Sequence, residues 1–146
     1  MSDFSKALGV SSSGLSAQRM RMNTISSNIA NINTTRTPEG GPYRRKDVVL
    51  ESMPETRNFG EILTSLPDRN VQRVQVTDVH VDRKAPILKY EPNHPDANED
   101  GYVAYPNINL MEEMTNMIQA TRSYEANVSA MQSTKDMALS ALEIGR

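Results

Sequence analysis

The chain has 146 residues and a net charge of −2, from 16 Lys and Arg against 18 Asp and Glu. That length allows one domain, and that balance excludes a polybasic nucleic-acid binder. Val, Ile, Leu and Phe make up about one fifth of the residues, the border below which a chain buries too little to order itself, while the absence of Cys and a complement of two His exclude disulfides, thiolate metal sites and cysteine nucleophiles and leave little for His chemistry.

The composition describes a thin-cored binding or structural protein rather than an enzyme, with no bound metal expected. No apolar run approaches the roughly 18 residues of a membrane span, so no direct membrane insertion is expected. The start, Met1-Ser2-Asp3-Phe4-Ser5-Lys6, lacks the basic and then apolar layout of a secretory signal.

Positions spaced alternately by four and three from Phe4 read Phe4, Leu8, Ser11, Leu15, Gln18, Met22, Ile25, Ile29 and Ile32, mostly apolar. This predicts a heptad seam on a helix over residues 3–33, capped by Ser2 or Asp3. Gly9, Gly14 and the run Ser11-Ser12-Ser13 weaken its first half, each Gly by about 1 kcal/mol relative to Ala. Thr34–Pro42, with Pro38, Gly40, Gly41 and Pro42, reads as a loop. Tyr43–Glu51 and Val71–Val81 are rich in strand formers. In the second, Val74 and Val76 share a face while Val79 and Val81 fall on the opposite phase, so a bulge or tight turn is predicted at Thr77-Asp78. Between them, Phe59, Ile62, Leu63 and Leu66 behind Asn58 suggest a turn or two of helix. Ile87–Tyr90 and Tyr102–Tyr105 are short strands, one opening after Pro86 and the other halted by Pro106.

The same count from Leu110 gives Leu110, Met114, Met117, Thr121, Tyr124, Val128, Met131, Lys135, Ala138 and Leu142. A second seam on a helix over 109–143 follows, with Asn109 and Glu112 as a capping-box start and Gly145 as a stop. The fold class is therefore α+β: long terminal helices around a small, mainly β middle. The chain divides into an N-terminal axial segment 1–37, a β-rich segment 38–106 and a C-terminal axial segment 107–146.

Residues 1–37 hold four basic and one acidic residue, and residues 106–146 hold three and five. Terminal helices of opposite charge suit pairing with each other, antiparallel, or with copies of each other. At 1.5 Å per residue they run to about 46 and 52 Å, against a radius of gyration of about 15 Å for a compact chain of this size. They overhang anything the middle can form, as parts of an assembly do.

Other signals are weaker. Asp96-Ala97-Asn98-Glu99-Asp100-Gly101 copies the first half of an EF-hand loop, but the twelfth position, which should be Glu, is Asn107, and the flanks carry Pro92, Pro95 and Pro106. An acidic turn leading into a strand, its carboxylates facing solvent or a basic neighbour, is the simpler reading. His80 and His94 lack a second ligand at zinc spacing. Tyr43-Arg44-Arg45-Lys46 is read as a solvated strand edge or a charged subunit contact, since no aromatic series accompanies it. The polar face of the first helix is Ser- and Asn-rich, unlike a membrane-surface helix. Met20, Met22, Met111, Met114, Met117, Met131 and Met137 lie on or beside the seams, where Met fills irregular gaps.

Ser13-Gly14-Leu15-Ser16-Ala17-Gln18-Arg19, then Met22-Asn23 and Ser27-Asn28-Ile29-Ala30-Asn31-Ile32-Asn33-Thr34, resembles the N-terminal motif of the flagellar axial family of rod, hook and hook-associated proteins. The continuation Arg36-Thr37-Pro38-Glu39-Gly40-Gly41-Pro42-Tyr43-Arg44 resembles the basal-body proximal-rod members. So do Tyr90-Glu91-Pro92-Asn93-His94-Pro95, Gly101-Tyr102-Val103, Pro106-Asn107-Ile108-Asn109, Ser123-Tyr124-Glu125-Ala126-Asn127 and Ile144-Gly145. The resemblance is weakest over 52–70, and Ile32 stands where Ala is common.

The resemblance implies a non-enzymatic structural subunit, with no cofactor, of the proximal rod, the drive shaft spanning the periplasm. Such a subunit transmits torque and lines the export channel. It would be exported through the flagellar type III apparatus without a cleaved signal. Its terminal helices would be disordered when free and pair as a coiled coil in the assembly. The implied partners are copies of itself, the rod proteins FlgB, FlgF and FlgG, and FliE. The expected assembly seam is Phe4, Leu8, Leu15, Met22, Ile25, Ile29, Ile32, Leu110, Met114, Met117, Tyr124, Val128, Met131 and Leu142. Asn28, Ala30, Asn31, Asn33 and Thr34 form the axial motif, and the amides of Asn28, Asn31 and Asn33 can fix helix register as buried Asn does in coiled coils. The competing readings are a cytoplasmic coiled-coil adaptor or export-chaperone-like protein and, on the acidic loop alone, a small calcium-binding protein.

Overall fold

A computed structural model of the chain describes residues 2–54 and 72–144. Helix α1 spans Ser2–Ala30 and helix α2 spans Leu110–Ile144. Between them lie two antiparallel hairpins: β1 (Lys46–Pro54) with β2 (Gln72–Val81), and β3 (Ile87–Tyr90) with β4 (Tyr102–Tyr105). The α+β architecture is the one expected, and no described helix is long and apolar enough to cross a membrane. The helical turns predicted over 58–66 lie outside the described residues.

The helices pair antiparallel. Gly14 faces Asn127, the Thr121 hydroxyl reaches the sulfur of Met22 at 3.6 Å, and Asn28 meets Glu113. The approach is close at Gly14, where a Cβ would come within 3.0 Å of the end of the Asn127 amide and that amide would have to shift slightly. On its other side α1 packs against the β1–β2 hairpin. The Ser13 hydroxyl accepts the N–H of Val74, and a Cβ on Gly9 would come within 3.0 Å of the Arg73 guanidinium.

α1 ends three residues before the predicted Asn33. The Asn31 side chain donates to the Ser27 carbonyl and accepts from the Thr34 hydroxyl, so a local side-chain turn replaces the helical ladder. β1 likewise begins at Lys46 instead of Tyr43, because the Tyr43 N–H closes the preceding loop on the Thr34 carbonyl. At the other helix, Asn109 caps α2 through its side-chain oxygen, which accepts the N–H groups of Met111 and Glu112 at 3.0 and 3.4 Å.

In the β1–β2 ladder Val49 pairs with Asp78 and Leu50 with Val76, which leaves Thr77 as the extra residue of a bulge. The predicted phase change is real, and its effect is to return Val79 to the half-buried side shared by Val74 and Val76. The core is thin. Among the described residues the buried apolar ones are Ala17, Ile25, Val103, Pro106, Ile108 and Ala120.

Candidate functional site

The most completely buried polar group lies where α1, the start of β1 and the first turn of α2 meet. Asn28 is 0% exposed and Glu113 1%. The Asn28 amide donates to the Lys46 carbonyl at 2.8 Å and to Glu113 Oε2 at 3.0 Å. Its oxygen accepts the Lys46 N–H at 3.0 Å and the Tyr43 hydroxyl at 3.1 Å. All four hydrogen-bonding positions of the side chain are used.

Glu113 is held from the other side by Arg45, whose Nε donates to Oε1 at 2.7 Å, and Arg45 also lies 3.3 Å from Asp47. Burial pulls against the charge on Arg45, but its hydrogen bond and Coulombic contact with Glu113, joined by Asp47, outweigh this and raise its pKa above the ordinary value. Each oxygen of the buried Glu113 carboxylate thus has a donor, Asn28 on one and Arg45 on the other, and this pairing offsets the cost of taking its charge from water. Its chemistry is positional. Register slippage of either helix would strand a buried amide or a buried carboxylate, so the clasp fixes α1, β1 and α2 in one alignment.

Arg45 therefore faces inward, in contrast to the solvated edge expected for the Tyr43–Lys46 run. Arg44 stays exposed, and the Lys46 ammonium sits 5.7 Å from the centroid of the Tyr43 ring. Of the axial motif, Asn28 is the fully buried amide, bonded to Lys46, Tyr43 and Glu113. Asn31 and Thr34 build the turn after α1, and Ala30 and Asn33 are exposed. Glu113 is the functional residue of this clasp that the expected seam and axial motif leave out. The available signal was an acidic residue lying four before Met117 and seven before Ala120, in the phase of the buried stripe.

The seam residues divide into two sets. Ile25 is buried, and Leu8, Leu15, Met22, Ile29, Met117, Tyr124, Val128 and Met131 are half-buried. Ile32 is half-buried but lies beyond the end of α1. Phe4, Leu110, Met114 and Leu142 are exposed, together with Ile118. On α2 the interior stripe runs through Glu113, Met117, Ala120, Tyr124 and Asn127; exposed Leu110, Met114 and Ile118 lie beside it, and Leu142 continues its phase near the end of the helix.

The acidic turn is an Asx structure. Asn98 Oδ1 accepts the N–H groups of Asp100 and Tyr102, and Gly101 takes a φ of 79°, which a side chain would strain. Asp96 accepts from the Thr35 hydroxyl at 2.7 Å and lies 4.0 Å from Arg36. His94 uses Nδ1 to accept the Asp96 N–H, while His80 is an exposed strand residue paired with Asp47. Among the described residues no group of three His, Cys, Asp or Glu could hold a metal ion.

Residues 8–36 match the family described as flagella basal body rod protein, and residues 99–144 match the C-terminal region of flagellar basal body rod FlgEFG proteins. The flagellar basal-body rod protein FlgC of Bacillus subtilis is 46% identical, over 96% of this chain and 97% of that protein. The FlgC of Borreliella burgdorferi is 44% identical, over 94% and 95%. That of Escherichia coli O6:H1 is 36% identical, over 94% of each. The two matched segments coincide with α1 and its turn and with the region from the acidic turn through α2.

Proposed function

Since the chain belongs to the FlgC family of flagellar basal-body rod proteins, we propose that it is a structural subunit of the proximal rod, the part of the drive shaft that crosses the periplasm. Its terminal segments, 1–37 and 107–146, are the axial parts that pack against copies of itself and against FlgB, FlgF, FlgG and FliE. The middle segment, 38–106, caps and spaces them. The subunit reaches its place through the flagellar type III export apparatus without a cleaved signal, transmits torque, and lines the channel through which later subunits pass. Assembly, not catalysis, is its task.

One observation carries this reading. Leu110, Met114 and Ile118 are 43, 47 and 55% exposed on the flank of a helix whose interior stripe is already paired with α1, and Leu142, in phase with that stripe near the end of the helix, is 71% exposed. Complete burial of such a side chain is worth about 1.5–3 kcal/mol, so an adjacent subunit covering the flank gains what the single chain leaves unused. The wider seam, including Phe4, Leu8, Leu15, Met22, Ile25, Ile29, Ile32, Met117, Tyr124, Val128 and Met131, is proposed to tighten around the same contacts.

Met114→Asp tests it. The site is exposed in the single chain, so the variant should unfold within about 0.5 kcal/mol of the parent, as surface substitutions do. In cells it should abolish swimming and leave isolated basal bodies without this chain. A variant that is stable, incorporated and fully motile would refute burial of this flank in an assembly.

A further inference from the structure

A cleft of about 480 Å³ opens beside the turn that follows α1, lined by Asn31, Thr34, Arg36, Glu39, Arg44 and Lys46 among others. Three cations face one carboxylate in it. Arg36 has a side chain 82% exposed, and Arg44 is exposed. Among the described residues no ion pair reaches Arg44. The same holds for Glu99 and Asp100, the two exposed carboxylates of the acidic turn. That turn is a preformed knob. Asn98 holds the N–H groups of Asp100 and Tyr102, Gly101 takes its φ of 79°, and a Cβ there would come within 2.9 Å of the Tyr90 ring. A turn already ordered loses little freedom on docking.

We infer that the acidic turn of one copy, through Glu99 and Asp100, docks in the basic cleft of a second copy, against Arg36, Arg44 and Lys46. Three features point to this. The two surfaces are opposite in charge, an exposed acidic turn and a concave site with three cations. Both are carried by every copy. Within one chain the turn is hooked to the rim of the cleft only through Asp96, which Thr35 and Arg36 hold, while Glu99 and Asp100 form no ion pair with the cleft cations. A contact between two different surfaces of identical copies is heterologous, so it repeats from copy to copy and generates a ring or helical row instead of a closed pair. The inference rests on the rod reading and specifies how copies adjoin within it.

The absence of Cys makes the test direct. Pro38→Cys at the cleft and Glu99→Cys on the turn are made in separate copies, expressed together, and basal bodies are isolated under oxidising conditions. A disulfide-linked dimer is expected when both variants are present and with neither alone. Both variants incorporated in motile cells without any dimer would overturn the inference. In a second measurement, Arg44→Glu and Asp100→Lys are expected each to slow swimming several-fold, and their combination in one chain to recover most of it, because the reversed charges attract again. Failure to recover would overturn the inference, as would inorganic phosphate titrating the cleft amides of the parent chain while the charge swap stays impaired, since the cleft would then be an anion site. A parent chain missing from isolated basal bodies would instead remove the rod reading itself.

Discussion

Asn28→Asp keeps the shape of the side chain and inverts half of its chemistry. The amide nitrogen, now 3.0 Å from Glu113 Oε2 and 2.8 Å from the Lys46 carbonyl, becomes an oxygen facing two acceptors. Two charges at that separation repel by about 5 kcal/mol at an effective dielectric near 20. Arg45, bonded to the far oxygen of Glu113, offsets part of this, and so does uptake of a proton shared by the two carboxyls. A loss of about 3–5 kcal/mol at neutral pH is expected, a large share of the roughly 5–15 kcal/mol that holds a domain folded. The pH dependence has a definite sign. The shared proton raises a carboxyl pKa in the folded variant above its unfolded value, so the deficit relative to the parent is smallest in acid and grows as pH rises through the raised value. Urea unfolding followed by circular dichroism, at neutral pH and near pH 5, measures both quantities. Asn33→Asp, the same change at an exposed residue, is the control and should stay within about 0.5 kcal/mol. A loss below about 1 kcal/mol at neutral pH, or one independent of pH, would refute the assignment of Asn28 as a satisfied, buried register residue.

Glu113→Leu strands the buried side of Arg45 and is expected to cost about 3–5 kcal/mol in urea melts, while Glu113→Leu with Arg45→Met recovers most of it. The Tyr105 hydroxyl donates to Glu91 at 2.9 Å, and that bond raises its pKa above the usual phenol value. The bond's contribution is therefore complete below the unfolded phenol's pKa and lost as pH rises through the folded one. Titration of the Tyr105 ring carbon by NMR should show the upward shift, and Glu91→Gln should reduce it. Gly14→Leu drives a side chain into Asn127 and should lose about 1–3 kcal/mol by overpacking. Gly14→Ala should be nearly silent in the same melts, since the flexible end of the amide can give way and helix propensity improves by about 1 kcal/mol.

Periodic features were legible in the sequence. Two seams predicted two helices, and α2 began within one residue of the expected position because Asn109 carries a cap. A change of phase among four valines located the bulge at Thr77. The clasp was legible only at Asn28. Glu113 lies 85 residues away, and a carboxylate that meets an amide and a guanidinium across that distance leaves no periodic trace. Arg45 sits in a basic run whose neighbours do face solvent, so composition described Arg44 correctly and Arg45 not at all. The phase of α2 was equally hidden. Small Ala120 and polar Glu113 occupy its buried stripe while Met114 and Ile118 remain outside, an order that hydrophobicity alone ranks the other way.

The distance along the chain between the partners of the clasp also governs the order of folding. Closing the β3–β4 hairpin brings together Tyr90 and Tyr102, whereas joining α1 to α2 at Asn28 and Glu113 closes a loop of 85 residues. Loop entropy makes the second closure about 2 kcal/mol harder than the first, and contacts remote in sequence are the ones that form slowly. The hairpins are closed by pairs nearer in sequence, so they are expected to close earlier than the helices dock. The helices are expected to dock after them, and until they do each presents its apolar stripe to whichever helix arrives first, its own chain's or a neighbour's.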